Sequence, residues 1–183
     1  MRIGLLLGSF DPVHNGHIEM ARKALEADLV DLVLFVPTKQ NPWKENSSDY
    51  ITRCWMLLTA IRNISKCAIS AIEDGLAPPY YSYKTLEALK ERYVGDDLFL
   101  IVGADTATSI KDWKNGDQIL KTIPLITISR PGSEPTGIID IPLQVDISST
   151  EVRNLVKENK SIDHLVPKSV SGLINILKLY KDE

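Results

Sequence analysis

Short apolar runs alternate with stretches of helical periodicity along the chain. Five runs have the length and continuity of strands buried on both faces: 3–8, 32–36, 68–72, 98–102 and 125–129. A sixth candidate strand is 144–147. Apolar residues recur at helical spacing over 17–29, 50–61, 82–93, 150–158 and 168–179, with a shorter helical region between the fourth and fifth strands. Segment 38–49 is polar and contains proline, so it is predicted to be a loop.

This alternation of strands and helices predicts the fold class. It indicates an α/β protein with a parallel sheet, helices on both faces and a helical C-terminal segment. Because no repeat, low-complexity tract or long linker divides the sequence, we expect a single Rossmann-like domain over 1–183. Sheets of this kind bind ligands beyond the carboxyl ends of their strands, where the direction of strand addition reverses. The functional residues are therefore expected at that edge.

Composition and charge narrow the classes of partner. The 183 residues carry 21 Lys and Arg against 24 Asp and Glu, a net charge of −3. That balance argues against a protein held to nucleic acid or a membrane surface by charge. No apolar stretch approaches 18 residues, and no cleavage site for a signal peptide follows the first ten residues. Cys54 and Cys67 have no metal-ligand spacing, so we expect a reduced, cytoplasmic protein. A homo-oligomer remains possible.

The first strand-to-helix junction carries a candidate phosphate site. Gly8 and Gly16 allow the backbone to approach a ligand closely, and His14 and His17 are three positions apart at the start of the helix. The positive end of a helix favours anions. Two imidazoles there, with Asp11 as the nearest acid, suit phosphate oxygens better than a metal cation. The alternative is one core histidine and one surface histidine.

A second candidate anion site lies at the start of the predicted helix 150–158. Ser148 and Glu151 have the spacing of a capping box, which predicts that a helix begins here. Ser149, Thr150 and Arg153 add hydroxyl donors and a cation within one turn. Capping alone does not require them, and they indicate a second phosphate site. The alternative is that these side chains only cap the helix.

Two motifs resemble the signatures of a known superfamily. GSFDPVHNGH resembles G-[ST]-F-D-x-x-H-x-G-H of the nucleotidyltransferases, and ISSTEVR is similar to their ISSTxxR. The middle of the chain is similar to the bacterial nicotinate mononucleotide adenylyltransferases, in GAD at 103–105 with Trp113, YSYKTL at 81–86 against SYTxxTL, and SRPG at 129–132. The C-terminal LVP and LY also match. The departure is NPWK at 41–44, where that family has PPH[KR].

This resemblance implies transfer of AMP from ATP to nicotinate mononucleotide, giving deamido-NAD and pyrophosphate, with Mg²⁺ carried by the ATP phosphates. It implies that His17 contacts the α-phosphate, His14 the triphosphate and Arg153 the β- and γ-phosphates, while Lys44 meets the incoming phosphate. Further residues expected to bind ATP are Gly8, Ser9, Phe10, Gly16, Gly103, Asp105, Ser148, Ser149 and Thr150. Those expected to bind the mononucleotide are Trp113, Ser82, Tyr81, Trp43 and Arg130.

Three other functions stay open at this point. Nicotinamide mononucleotide differs from the acid by a few hydrogen bonds that a sequence does not display. Phosphopantetheine adenylyltransferases share both phosphate motifs, although the chain lacks their Arg-Gly-x-Arg segment. A nucleotide-binding module without catalysis is the alternative from another class. The oligomeric state, and closure of the loop 38–49 over substrate, are also open.

Overall fold

Six parallel strands form the sheet of the computed structural model, which describes residues 1–42, 47–129, 139–142 and 147–181. The strands lie in the order β3-β2-β1-β4-β5-β6. Their bounds are β1 Arg2–Gly8, β2 Leu32–Pro37, β3 Cys67–Ile69, β4 Asp97–Gly103, β5 Leu125–Ser129 and β6 Ile139–Pro142. All five pairings between neighbouring strands are parallel. The predicted α/β class is confirmed.

Helices connect the strands and cover both faces of the sheet. Within the described ranges they are α1 Asn15–Glu26, α2 Tyr50–Ile61, α3 Ser82–Arg92, α4 Ala104–Ser109, α5 Gly116–Thr122, α6 Ser149–Lys157 and α7 Lys168–Ile176. Short 3₁₀ turns occur at Ile72–Gly75 and Ile110–Asp112. No helix in the described ranges is long and apolar enough to cross a bilayer.

Two hydrophobic cores flank the sheet because successive strand side chains point to opposite faces. Leu6 of β1 belongs to the core that α1, α2, α6 and α7 cover. Leu5, its neighbour, belongs to the core beneath α3 and α5. Both residues are almost completely buried. Burial on both faces therefore explains the continuous apolar run that predicted β1. The C-terminal helical segment packs on the first core.

One predicted strand differs from the structure, and another falls almost entirely outside the described residues. The third ends at Ile69, and part of its predicted range forms the 3₁₀ turn that begins at Ile72. The structure has a strand at Ile139–Pro142 that the pattern did not predict, whereas residues 144–146 of the predicted strand 144–147 lie outside the described residues. Asp140 and Pro142 are poor strand formers, so this segment lacks the apolar pattern of a strand, but an edge strand tolerates both residues.

The strand order reverses between β1 and β4. The chain passes from β1 outward to β2 and β3, whereas β4 lies on the other side of β1 and continues to β5 and β6. Gly8 and Gly103 end these two central strands at the same edge of the sheet. This is the position at which open α/β sheets bind ligands.

Candidate active site

Two adjoining cavities lie at this edge of the sheet. The histidine cavity, of about 330 Å³, is lined by His14, Gly16, His17, Gly103, Ser148 and Thr150 among others. The tyrosine cavity, of about 600 Å³, is lined by Ser9, Thr38, Tyr80, Tyr81, Ser82 and Asn41 among others. Three residues line both cavities: Leu7, Thr106 and Trp113. The arrangement can hold two ligands side by side with their near ends in contact.

The loop that leads from β1 to α1 is anchored through the carboxylate of Asp11, which is 4% exposed. Its Oδ2 accepts the Ser47 backbone N–H at 2.6 Å, and its Oδ1 accepts the hydroxyl groups of Ser48 and of Tyr180, the latter at 2.7 Å. A buried carboxylate must be hydrogen-bonded in this way, because losing its water is otherwise costly. Burial and the negative charge of Asp11 raise the pKa of Tyr180 above its ordinary value, so its hydroxyl remains a donor.

His14 and His17 lie together at the start of α1, as their spacing predicts. Their rings stack with centroids 3.7 Å apart. The His14 backbone N–H donates to Nδ1 of His17 at 3.3 Å. Burial, and secondarily the neighbouring His14, hold the pKa of His17 well below its usual range. His17 is therefore neutral at pH 7, and with Nδ1 accepting a bond its proton is on Nε2. The residue offers one N–H donor to an anion in the histidine cavity.

Phe10 packs against His17, and Gly16 lies close to the His14 ring. The Phe10 ring, 2% exposed, packs edge-on against His17 with centroids 5.0 Å apart. A Cβ at Gly16 would lie 3.0 Å from Nδ1 of His14, closer than ordinary contact allows. Phe10, which the sequence placed among nucleotide-binding residues, thus has its side chain in the core, where it supports His17.

The N-terminus of α6 lies against the same loop. Ser148 caps the helix, accepting the Glu151 N–H at 3.1 Å as the capping box predicts. Ser149 donates its hydroxyl to the carbonyl of Pro12 at 2.9 Å. Arg153 donates to the carbonyl of Asp11 at 2.7 Å and to the Thr150 hydroxyl at 3.2 Å. The helix starts of α1 and α6 are therefore held together, and their backbone N–H groups favour anions at one place.

The tyrosine cavity is built from α3 and the segment before it. Tyr81 is the residue that precedes the first turn of α3, and its ring stacks on Tyr83 with centroids 6.1 Å apart. Ser82 begins the helix and Trp113 closes the boundary with the histidine cavity. The three predicted mononucleotide residues that the structure describes therefore line one cavity.

Several predicted site residues are placed elsewhere. Gly8 and Ser9, expected to contact ATP, line the tyrosine cavity. Asp105 is exposed in the first turn of α4, which Gly103 caps, and it lines neither cavity. Arg153 also lines neither cavity, although it bonds Thr150, which does. Three predicted residues lie outside the described residues: Trp43, Lys44 and Arg130.

Two buried charged residues near the tyrosine cavity were missed by the sequence reasoning. Arg53 is 0% exposed and Glu73 is 2% exposed. Arg53 precedes Met56 and Leu57 by three and four positions, so it lies on the apolar face of α2. A basic residue on the core-facing side of an amphipathic helix was the available signal. Glu73 lies in a 3₁₀ turn, where no periodicity marks the buried side.

Comparisons with known proteins agree with this geometry. Residues 5–155 match the Cytidylyltransferase-like family. The nicotinate-nucleotide adenylyltransferase of Bacillus subtilis strain 168 is 34% identical over 187 residues, covering 98% of both chains. A Cytophaga hutchinsonii protein named "Probable nicotinate-nucleotide adenylyltransferase" is 37% identical and covers 100% of both. The solved Plasmodium falciparum nicotinic acid mononucleotide adenylyltransferase complexed with NaAD shares the fold, with a TM-score of 0.83 at 19% identity and 98% and 97% coverage.

The match to the family and the position of both motifs at one sheet edge define the class, a nucleotidyltransferase of the cytidylyltransferase-like type. Within that class, relatives that match over the full length at more than 30% identity show which family the chain belongs to. The chain belongs to the nicotinate-nucleotide adenylyltransferase family.

Proposed function

We propose that the protein transfers AMP from ATP to nicotinate mononucleotide, releasing pyrophosphate and forming deamido-NAD. The observation that carries the proposal is the pair of adjoining cavities, one at helix starts that favour anions and the other lined by aromatic side chains. ATP occupies the histidine cavity and the mononucleotide occupies the tyrosine cavity. The two phosphates that must react then meet beside Thr106 and Trp113, which line both.

The reaction needs no general base from the protein. The attacking group is a phosphate monoester, whose second pKa is about 6, so it is mostly dianionic at neutral pH. Attack on the α-phosphorus forms the new P–O bond as the bond to pyrophosphate breaks. Catalysis therefore consists of holding two anions in line and stabilising the charge that develops on their oxygens. A site whose functional residues are donors and helix starts is suited to this task.

His17 stabilises the α-phosphate with its Nε2–H, the donor left by the bond at Nδ1. A neutral donor that is fixed by stacking and burial loses little on reorganisation during the reaction. His14 and the start of α6 contact the remaining phosphates. Arg153, bonded to the Asp11 carbonyl and to Thr150, supplies positive charge at the β- and γ-phosphates.

Mg²⁺ is proposed to bind through the ATP phosphates. The Asp11 carboxylate, the acid nearest the histidines in the loop, already accepts three protein donors. Among the residues described, no cluster of three or more His, Cys, Asp or Glu side chains is arranged to hold a metal. A divalent cation on the triphosphate supplies charge neutralisation for the leaving pyrophosphate. The protein's part is to hold the phosphates.

The pyridine ring of the mononucleotide is proposed to stack on Trp113, with Tyr81 and Ser82 beside it. Ser82 has a hydroxyl and lies at the start of α3, whose backbone N–H groups suit the nicotinate carboxylate. Lys44 remains the proposed contact of the incoming phosphate, and Trp43 and Arg130 remain proposed substrate contacts. Asp105 remains the proposed ribose contact.

Pyrophosphate release in the presence of ATP and Mg²⁺ tests the function with three acceptors: nicotinate mononucleotide, nicotinamide mononucleotide and phosphopantetheine. A clear preference for the acid supports the proposal. Preference for the amide would keep the mechanism but contradict the carboxylate contacts, and turnover with phosphopantetheine alone would contradict the tyrosine-cavity assignment. No release by protein that binds ATP would indicate a nucleotide-binding module.

A further inference from the structure

The segment that follows β2 forms one wall of the tyrosine cavity, through Thr38, Asn41 and Pro42. Lys39, which follows Thr38 in this segment, is held through its backbone by two side chains. Its N–H donates to Oε2 of Glu73 at 2.7 Å, and its carbonyl accepts from Nη2 of Arg53 at 3.0 Å. Two buried side chains of opposite charge therefore act on a single residue of the wall.

In the observed bonds, Arg53 donates only to backbone carbonyl oxygens. Nη1 reaches Ser9 at 2.5 Å and Thr38 at 2.8 Å, and both of these residues line the tyrosine cavity. Nε reaches the Ser48 carbonyl at 3.2 Å. Because a buried guanidinium is costly unless its donors are satisfied, these bonds strongly specify the relative positions of the loops after β1 and β2.

Glu73 joins the same wall to α3. Its Oε1 accepts the hydroxyl of Thr85 at 2.7 Å, and Thr85 is 0% exposed on α3. Ser82, the first residue of that helix, and Tyr81, which precedes it, also line the cavity. Glu73 thus links the segment after β2 to α3 through Lys39 and Thr85, which themselves line neither cavity. Both of the linked elements contribute lining residues to the tyrosine cavity and none to the histidine cavity.

We propose that Glu73 is a positioning residue that sets the width of the tyrosine cavity and thereby determines affinity for the mononucleotide in preference to ATP, while Arg53 holds the same segment without that selectivity. The inference rests on the proposed function, which assigns that cavity to the mononucleotide. Glu73 is the better residue for a test, because Arg53 also bonds Ser48, whose hydroxyl donates to Asp11 in the loop that carries the histidines. Substitution of Arg53 therefore affects both substrates, and substitution of Glu73 affects one.

The test is Glu73→Gln in the full-length protein, assayed by pyrophosphate release with each substrate varied in turn. A Gln amide accepts one of the two bonds through its oxygen, but its NH₂ group opposes a second donor. We expect the KM for nicotinate mononucleotide to rise about tenfold, the effect of one lost buried hydrogen bond, while the KM for ATP stays within about twofold. Asp74→Asn is the matched control, since Asp74 is the adjacent exposed acid and pairs with the Lys39 ammonium.

A merely structural role for Glu73 predicts a different result. It would lower the active fraction or the thermal stability and leave both KM values unchanged, or it would raise both equally, and either outcome overturns the inference. If Glu73→Gln does not fold, Thr85→Val removes one donor to the carboxylate and is expected to raise the same KM by a smaller factor; an unchanged KM there overturns the inference as well. Wild-type protein that is inactive with nicotinate mononucleotide would instead contradict the proposed function itself.

Discussion

Gly16 offers a sharp test of the idea that the imidazole positions are set by close packing. In Gly16→Ala the new Cβ would lie 3.0 Å from Nδ1 and 3.1 Å from Cε1 of His14. Ordinary contact begins at 3.4 Å, so the ring must move by 3.4 − 3.0 = 0.4 Å. The ring has little room to do so, because His17 stacks on it with a centroid distance of 3.7 Å.

The expected loss of activity follows from that displacement. A misplacement of about 1 Å in an active site costs about 10²-fold in rate. On the same logarithmic scale, 0.4 Å corresponds to about a sixfold loss in kcat/KM. Stability is expected to change little, because alanine is favoured over glycine in a helix by up to about 1 kcal/mol, which offsets the strained contact. The variant should therefore be folded and slow.

Steady-state pyrophosphate release and thermal unfolding measure both quantities. Gly172→Ala is the matched control, because it also lies in a helix, α7, and a Cβ there meets no atom within 4 Å. We expect the control to keep full activity and gain about 0.5–1 kcal/mol, a rise in Tm of about 1–4 °C. Full activity in Gly16→Ala, or an equal loss in both variants, would refute the packing argument.

Three other predictions concern the same loop. His17→Ala should lower kcat by about 10²–10³-fold with the fold intact. His164→Ala, at an exposed histidine, is the control and should keep its rate. An unchanged rate in purified His17→Ala would rule out the assigned role. Because burial lowers the folded-state pKa of His17, the unfolded chain binds a proton below its ordinary pKa of about 6.5 that the folded chain does not. The free energy of unfolding is therefore expected to fall as the pH drops below that value. Urea titrations at neutral and mildly acidic pH should show a smaller decrease in His17→Gln than in the wild type. An identical dependence of the free energy of unfolding on pH in both proteins would contradict this prediction. Tyr180→Phe removes one donor to the Asp11 carboxylate and should cost about 1.5–3 kcal/mol in urea unfolding, so a change below about 0.5 kcal/mol would show that this bond is dispensable.

The sequence predicts those parts of the fold and site whose signals are local. The apolar run at β1 reports burial on both faces, and the spacing of His14 and His17 places both rings on one side of a helix start. Ser148 predicts the start of α6 because its own side chain caps that helix. In each case the residues that produce the signal are within one or two turns of each other, so periodicity and capping rules apply directly.

The parts that could not be predicted depend on partners distant in the chain. Arg53 donates to Ser9, 44 positions away, and Asp11 accepts from Tyr180, 169 positions away. No periodic pattern connects such residues, because their proximity is created by the sheet order and not by local geometry. The same reason explains Phe10, whose motif membership indicated ligand contact but whose ring lies between His17 and Phe35 in the core.

The bond between Tyr180 and Asp11 has a consequence for protein synthesis. A ribosome makes Asp11 before Tyr180, and 169 further positions must be added before the Tyr180 hydroxyl can reach the histidine loop. Until then the Asp11 carboxylate lacks one of its three donors, and α7, which precedes Tyr180, has not covered its side of the sheet. The loop that carries the two histidines therefore gains its full set of anchoring bonds only when this long-range contact closes.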